Sequence, residues 1–374
     1  MKPKLRFKEF SDEYVLSDLG KYLIQYKKTT NSNNQYPVLT SSRSGIFFQE
    51  DYFNRQVASK DNTGYNIVPR NYFTYRHMSD DTIFSFNINT LCDYGIVSTL
   101  YPVFTTNTEM NSNYLKEYLN NSKRFSEYCL LQKQGGSRTY MYFDKLKKFV
   151  GCFPSIQEQT KVSNFLSLID KKIDLQSKKI EDLKLYKKGL IHNEKRNNNF
   201  WNEYKISDIM NITRGTVIPK MEISECLNNE FRYPVYSSQT SNNGILGYDN
   251  KYDFNGKFLT WTTDGANAGK VFYREGKFRC TNVCGILYNK DNRYVSELTA
   301  ELLNIETPKY VSYVGNPKLM NNVMSNIIIK LPDPSRDHFF SSILKIINKK
   351  LTIEEEKLDK LFELKKGFMQ NMFV

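Results

Sequence analysis

The chain has 374 residues, 40% of them hydrophobic and 25% charged, so it can form two or three domains with buried cores. The formal net charge of +13 favours an anionic partner, of which nucleic acid is the usual one. We find no apolar run of about 18 residues and no apolar N-terminal segment, so we expect neither a transmembrane helix nor a secretory signal. These features predict a cytoplasmic protein whose six cysteines are free thiols.

Four segments follow one another along the chain. The first and third are rich in Tyr, Phe and Asn, with short alternating runs between turn residues, and they predict strand-rich globular domains. The second and fourth predict long helices, and the polar run Asn197–Asn199 marks the clearest break. We therefore predict an α+β fold in which two similar globular domains alternate with two long helices. The segments are residues 1–152, 153–196, 197–330 and 331–374.

The two helical segments repeat each other at a constant offset of 178 residues, since Pro154 matches Pro332 and Ile169–Lys172 matches Ile347–Lys350. Apolar residues recur in both copies at alternating spacings of three and four, which is the seam of a coiled coil. The seam residues are Leu166, Ile169, Ile173, Ile180 and Leu183 in the first copy and Leu344, Ile347, Leu351, Leu358 and Leu361 in the second.

Two seams of equal length and phase predict that the helices pair with each other. A head-to-tail duplicate can close on itself with approximate two-fold symmetry, and the two helices would then lie antiparallel. The alternative is two ordinary amphipathic helices on separate cores. The globular segments also resemble each other, because Tyr36-Pro37-Val38 and Tyr233-Pro234-Val235 are each followed by a serine-rich stretch and a Gly-Ile pair.

No motif for catalysis or metal binding is present. The run Gly265–Lys270 lacks the spacing of a phosphate-binding Walker loop, and we expect a glycine-rich hairpin turn there. The three histidines form no metalloprotease pattern, and Cys280 and Cys284 lack the second pair that a zinc site needs. We therefore expect no catalytic residue, no metal and no cofactor on this chain.

The layout resembles the specificity (S) subunit of type I restriction-modification systems. The segment Phe153-Pro154-Ser155-Ile156-Gln157-Glu158-Gln159, followed by Phe165-Leu166 and Ile169–Ile173, is similar to the start of that family's conserved helix. The second copy departs from this pattern at Ser335-Arg336-Asp337. A further similarity to a target-recognition-domain core lies in Asp264-Gly265, Gly269–Tyr273 and Gly276–Phe278.

The resemblance implies a DNA-reading subunit without an active site of its own. Each globular domain would be a target recognition domain that reads one half of a bipartite, asymmetric DNA sequence. The two helices would act as spacers and dock two methyltransferase (M) subunits, and restriction (R) subunits would join through the complex. Adenine-N6 methylation and ATP-dependent DNA cleavage, with S-adenosylmethionine, ATP and Mg²⁺, would then belong to partner subunits only.

Base-reading side chains must be polar and long enough to enter a groove, where Arg suits guanine and Gln suits adenine. The turns after Tyr-Pro-Val occupy parallel places in the two domains and lead the candidates. We predict DNA contacts from Ser41, Ser42, Arg43, Lys60, Arg70 and Arg76 in the first domain and from Ser238, Gln239, Thr263, Asp264, Lys270 and Arg274 in the second.

Two other functions remain open at this point. One is a single-chain DNA methyltransferase or restriction enzyme with an unrecognised active site, although four assigned segments leave little room for a catalytic domain. The other is a coiled-coil scaffold, for which the two aromatic, turn-rich domains are large. DNA sequence selectivity in the presence of partner subunits distinguishes the three.

Overall fold

The structure, a computed structural model, describes residues 2–52, 60–133, 137–196, 201–289 and 291–373. Its contacts divide the chain into two units. The first unit contains Met1–Ser177 with Lys357–Val374, and the second contains Lys178–Glu356. This grouping differs from the four segments above, because each long helix contributes to both units. The break predicted at Asn197–Asn199 lies outside the described residues.

The first unit is built from short strands and short helices. Its strands are β1 (Val15–Asp18), β2 (Leu23–Gln25), β3 (Leu39–Ser42), β4 (Gly45–Phe48), β5 (Asn66–Pro69), β6 (Phe73–Thr74), β7 (Met78–Ser79), β8 (Asn87–Ile88), β9 (Tyr94–Val97), β10 (Val103–Thr106), β11 (Thr139–Tyr140) and β12 (Val150–Phe153). Its short helices are α1 (Gln49–Tyr52), α2 (Ser112–Asn121), α3 (Lys123–Leu131) and α4 (Phe143–Lys147).

A four-stranded sheet of order β2-β10-β6-β8 lies at the centre of the first unit, with two-stranded pairs β1-β12, β3-β4, β5-β9 and β7-β11 around it. Aromatic side chains fill the core, and the rings of Phe73 and Phe104 stack 4.7 Å apart. Tyr114 and Tyr118 of α2 are buried in the same cluster. The high aromatic content of the sequence is therefore used in large part for packing.

The long helix α5 (Ile156–Arg196) leads from the first unit into the second. The second unit then has strands β13 (Trp201–Lys205), β14 (Asn211–Arg214), β15 (Tyr233–Tyr236), β16 (Ile245–Asp249), β17 (Phe254–Thr262), β18 (Val271–Cys280), β19 (Cys284–Tyr288) and β20 (Ile328–Pro332). Its helices are α6 (Ile206–Ile209), α7 (Glu297–Glu306), α8 (Asn321–Ser325) and the first part of α9 (Pro334–Met372).

One six-stranded sheet of order β14-β19-β17-β18-β15-β16 dominates the second unit. Strands β17 and β18 form its longest hairpin, and the glycine-rich run Gly265–Lys270 connects them as predicted. Both strands have a glycine at the same register, Gly256 opposite Gly276, and both have positive φ (131° and 99°). A side chain would be strained in that conformation, so glycine is required there.

Both long helices cover nearly the whole of the predicted segments and pair antiparallel within each unit. In the first unit, Phe165 packs on Phe368 with ring centroids 4.9 Å apart, and Asp170 accepts a hydrogen bond from Lys365 at 2.6 Å. Residues nearer the C-terminus of α5 therefore contact residues nearer the N-terminus of α9, which is the antiparallel arrangement. Leu166, Ile169 and Ile173 are buried in the same cluster, with Leu358 and Leu361 packed against it.

The second unit continues the same pattern. Lys179 forms an ion pair with Glu354 at 3.0 Å, Lys187 donates to Asn348 at 3.1 Å, and Arg336 binds Glu194. Ile180, Ile347 and Leu351 are buried, and Leu344 shares a core with Ile191, whereas Leu183 is half-buried. The predicted α+β fold and antiparallel helix pairing are confirmed, and the alternative of two unpaired amphipathic helices is wrong.

A buried ion pair lies at the N-terminal end of α5 in the first unit. Arg6 donates two hydrogen bonds to Glu158, at 2.8 and 2.7 Å, and Tyr14 donates a third at 2.9 Å. Glu158 is only 1% exposed, so these three donors compensate a carboxylate that burial alone would disfavour. The backbone N–H of Leu5 also donates to the carbonyl of Asn371 in α9, which fixes the N-terminal segment against the end of that helix.

The seam generates a prediction about stability. Leu166 is 1% exposed and Leu168, two residues along the same helix, is 58% exposed. Leu166→Ala is expected to lower the free energy of unfolding by about 2–5 kcal/mol, because it leaves a cavity in the core. Leu168→Ala is the matched control and should change it by less than about 0.5 kcal/mol. Urea denaturation of the full chain measures both, and equal losses would show that the seam is not the buried face.

Candidate nucleic-acid interface

An open cleft of about 350 Å³ in the first unit brings together several of the predicted DNA contacts. Ser41, Ser42, Arg43 and Arg76 line it, together with Tyr52 and Tyr101, which the sequence did not single out. Arg76 is exposed and forms no ion pair within the described residues. Hydroxyl and guanidinium groups around an open cleft are suited to contacts with phosphates and base edges.

The hairpin β3-β4 presents Arg43 at the edge of this cleft. Ser41 and Ser42 lie in β3 rather than in a turn, and only Arg43 and Ser44 form the tip. The Ser41 hydroxyl donates to the carbonyl of Thr74, and the Ser42 hydroxyl donates to the carbonyl of Gly45. The two serines therefore lie at the end of a strand beside the turn, and their hydroxyls stabilise the hairpin and its neighbour strand.

Two exposed arginines are held by a single acidic turn beside the cleft. Arg43 donates to Asp81, and Arg138 donates to Asp80 at 3.1 Å. The hydrogen bond from Arg43, with a further one from Ser79, lowers the pKa of Asp81 to about 2. Asp81 therefore stays ionised, and Arg43 stays paired, at any physiological pH.

A stack of exposed rings adjoins Arg138. The rings of Tyr140 and Tyr142 are 5.7 Å apart and nearly parallel, and His77 lies 4.9 Å from Tyr142. Burial lowers the pKa of His77, which favours its neutral form. Flat rings with an arginine beside them are a common platform for nucleic-acid bases. The sequence contains a signal for this set, since Arg138, Tyr140 and Tyr142 alternate with a period of two and so share one face of an extended segment.

Arg70 and Lys60 do not line the cleft. Arg70 donates to Asp93 at 2.9 Å and to the carbonyl of Thr90 at 2.8 Å, so two of its nitrogens link the end of β5 to the segment before β9. Lys60 is exposed, and its carbonyl accepts a hydrogen bond from Asn33. The structure therefore does not group these two with Arg43 and Arg76.

In the second unit the loop Ser237–Gly244, between β15 and β16, corresponds to the β3-β4 turn but is longer. Ser238 and Gln239 are half-buried, and the Gln239 amide N–H donates to the carbonyl of Ile245. Asn242 and Asn243 have positive φ, and both are exposed at the tip. The two predicted turns are thus related in position and different in conformation.

Thr263 and Asp264 lie at the end of β17. Asp264 is half-buried and forms ion pairs with Arg214 at 3.5 Å and Lys318 at 3.9 Å. Thr263 is fully buried, donates to Asp264 at 2.7 Å and accepts from Arg214 at 3.3 Å. The prediction that Thr263 contacts DNA is wrong, because its hydroxyl is enclosed and orients Asp264. Arg214 and Lys318 are the accessible cations here, and the sequence analysis missed both.

Arg274 is also placed differently from the prediction. It is 3% exposed, and its guanidinium carbon lies 3.6 Å from the centre of the Tyr236 ring and 4.4 Å from that of Phe272. Its Nε donates to Thr260 at 3.2 Å, and no described carboxylate forms an ion pair with it. Burial lowers its pKa from the ordinary value of arginine. A side chain enclosed in this way cannot reach a DNA groove, so Arg274 is a structural residue stabilised by cation–π contacts.

Lys270 is exposed beside β18, and its ammonium lies 5.9 Å from the Phe272 ring. Glu301 of α7 and Lys187 and Lys184 of α5 interact electrostatically with it. Among the described residues no cluster of His, Cys, Asp or Glu could hold a metal ion, and no helix is long and apolar enough to cross a membrane.

Comparisons with known proteins bear on the role of these surfaces. The profile of the type I restriction modification DNA specificity domain matches residues 198–363. The putative type I specificity subunit S.MpnORF201P of Mycoplasma pneumoniae is 34% identical over 186 residues, which cover 48% of this chain and 75% of that protein. The chain belongs to the family of type I specificity subunits. The resemblance seen in the sequence is confirmed.

Other relatives in this family match shorter parts. The putative specificity subunit S.MpnORF289P N-terminus of the same organism is 47% identical over 125 residues, 33% of this chain and 65% of that relative. S.MpnORF507P is 42% identical over 146 residues, 39% of each chain. The chain thus spans less than two thirds of the length of these two relatives. The crystal structure of the S subunit from M. genitalium has 14% identity, a TM-score of 0.68 and coverage of 100% of this chain and 99% of that one, which shows a shared fold.

The buried arginine of this specificity subunit generates a prediction. Gly244 has φ +80°, and a Cβ there would lie 2.8 Å from the Arg274 guanidinium. The Arg274 side chain therefore fills the space beneath the loop Ser237–Gly244. Arg274→Ala is expected to lower the free energy of unfolding by about 2 kcal/mol or more and to speed proteolytic cleavage within residues 237–244.

Denaturation and limited proteolysis with mass spectrometry measure these two effects. Arg232, which is exposed, provides the control, and Arg232→Ala should alter stability by less than about 0.5 kcal/mol. If Arg274→Ala is as stable and as resistant to cleavage as the unaltered chain, the side chain does not support the loop.

Proposed function

We propose that this chain is the DNA-reading subunit of a type I restriction-modification complex and has no catalytic activity of its own. Each unit would read one half of a bipartite, asymmetric DNA sequence. The observation that carries the proposal is the first unit's cleft, with Arg43 and Arg76 at an open surface and Arg138 beside the exposed Tyr140–Tyr142 stack. Because the chain belongs to the family of specificity subunits, we interpret this basic, aromatic surface as a DNA contact.

The second unit supports the proposal with a different surface. Its loop Ser237–Gly244 offers amide and hydroxyl groups, and Arg214 and Lys318 flank Asp264 at the end of β17. Different side chains in the two units fit a target whose halves differ in sequence. Asp and Asn groups accept or donate at base edges, and the cations suit phosphates.

A second surface suits protein partners. Four exposed aliphatic side chains lie on the outer faces of the long helices: Leu168 and Leu175 of α5 are 58% and 68% exposed, and Ile346 and Ile353 of α9 are 69% and 41% exposed. Each pair is spaced by one heptad, and the pairs correspond at the same 178-residue offset. Exposed apolar residues at this spacing suit an additional helix from a partner. We propose that each pair docks one methyltransferase subunit.

The remaining parts of the proposal follow from this assignment. Restriction subunits would join through the assembled complex. S-adenosylmethionine, ATP and Mg²⁺ would bind to the methyltransferase and restriction subunits, so that this chain needs no cofactor. We also propose a cytoplasmic location, where the DNA substrate lies and where unpaired cysteines persist.

Genome-wide methylation mapping tests the function. The full chain is produced with the methyltransferase subunits of its own host in a strain that lacks adenine methylation. Methylated adenines in a single split sequence, absent when either component is omitted, are the expected result. Methylation by the chain alone would instead support a single-chain methyltransferase. An assembled complex whose methylation does not depend on this chain would support a coiled-coil scaffold.

The docking surface generates its own prediction. Leu168→Glu with Leu175→Glu should leave the chain folded, because both side chains are exposed, and should reduce the methyltransferase recovered per chain by about half. Ile346→Glu with Ile353→Glu should do the same, and the fourfold variant, which carries all four substitutions, should bind no methyltransferase subunit. Light scattering of the purified complexes measures the stoichiometry.

Asp174→Lys is the control, since it introduces a charge change of equal size and opposite sign on an exposed position of α5 outside this apolar pair. It should preserve the full complex. Unchanged stoichiometry in the fourfold variant would contradict docking through these residues and leave the DNA-reading proposal standing.

A further inference from the structure

The turn Asp80–Thr82 has an unusual backbone. Thr82 has φ +68°, a conformation that is costly for a β-branched residue. Asp81, the residue before it, has a carboxylate oxygen that accepts from the hydroxyl of Ser79 at 2.9 Å, from the backbone N–H of Ile83 at 3.3 Å and from Arg43. The turn therefore holds this carboxylate in one position, and the carboxylate in turn holds a guanidinium.

Arg43 is 61% exposed at the hairpin tip, and only its Nη2 is bound to the protein among the described residues. The other two guanidinium nitrogens keep their donors available. Arg70, also exposed and also paired with an aspartate, differs in this respect, because its Nε and Nη1 are both occupied, by Asp93 and the carbonyl of Thr90. The two pairs are similar in composition, but Arg70 has two guanidinium nitrogens bound to described residues and Arg43 has one.

Nη2 carries a second N–H, and this donor together with an N–H of Nη1 or Nε on the same edge of the guanidinium matches the O6 and N7 acceptors of guanine. A long arginine side chain otherwise loses rotamer freedom when it binds, and an aspartate that fixes it beforehand removes part of that cost. The pair carries no net charge, so it adds little to non-specific attraction by phosphates. This combination favours base selection over general DNA affinity.

We propose that Arg43 reads a guanine in the half-site bound by the first unit and that Asp81 is the positioning residue that makes this reading selective. Arg76, which lines the same cleft and forms no ion pair with another described residue, contacts a phosphate. The inference rests on the proposed function, and it adds the base recognised and the residue that determines the selectivity.

The experiment is selection from a library of duplex DNA with randomised positions, by the full chain assembled with its methyltransferase subunits. The unaltered complex should select a split sequence with at least one invariant guanine. Arg43→Ala should reduce the preference for that one guanine by at least about fivefold, the lower end of what a bidentate arginine contact contributes. The other half-site should not change.

Asp81→Asn provides a readout that a purely structural role would not change. It should weaken selection of the same guanine and increase affinity for a duplex without the target sequence, because a negative charge near the phosphates has been removed. Loss of folding would lower both the selection of that guanine and the affinity for the non-target duplex. Thermal unfolding of each chain tests whether the variant is folded. Asp81→Glu, which keeps the charge, should restore most of the selectivity. Arg76→Ala should weaken binding to all sequences alike and reduce the salt dependence.

Arg70→Ala with Asp93→Ala is the matched control, since it removes the other exposed arginine–aspartate pair of this unit. Its selected sequence should match that of the unaltered complex. The inference is overturned if Arg43→Ala selects the unaltered sequence at every position, or if the altered position is not guanine. An unaltered complex that selects no split sequence would instead contradict the proposed function.

Discussion

The antiparallel packing of α5 against α9 is the interaction on which the rest of the structure depends. Each unit contains one part of each helix, and the core of each unit includes residues of that seam. Large apolar side chains buried on both helices stabilise the pairing, and ion pairs at the seam's edge fix its direction. At the matched positions Glu158 and Arg336 the charges are opposite, with Arg6 and Glu194 as their partners. The two repeats therefore use the same kind of contact with exchanged charge.

Arginines perform three separate tasks in this protein, and their surroundings decide which. Arg274 is enclosed by aromatic rings and supports a loop, whereas Arg279 is bound by Asp249, Asp253 and Glu222 inside the second unit. Arg43 and Arg76 keep free donors at an open surface. A net charge of +13 therefore overstates the charge available to DNA. The paired and enclosed cations mainly stabilise the fold, and the few with free donors carry the proposed recognition.

The exposed apolar faces of the long helices and the exposed loops of the globular parts come from different sequence patterns. The apolar side chains on α5 and α9 recur with the helix repeat, so one sequence pattern produces an exposed apolar pair in each unit, the proposed docking position. The loops of the globular parts do not recur in this way: the β3-β4 tip has two residues, and the corresponding loop of the second unit has eight. Matched apolar pairs on the helices with unlike loops suit the proposed subunit, which would place similar partners on two different half-sites.

The sequence by itself determined the helices, their seam and the family. Periodicity in a long helix follows from local geometry, so Leu166, Ile169 and Leu344 could be assigned to the buried face without a structure. Two of the residues predicted to contact DNA, Arg43 and Arg76, do line one cleft. Only the tertiary structure decided which candidates are accessible. Whether Arg274 faces solvent depends on Tyr236 and Gly244, about 40 and 30 residues away in sequence, and whether Arg43 is held depends on Asp81. Such contacts form between distant segments, and no local pattern in the chain encodes them.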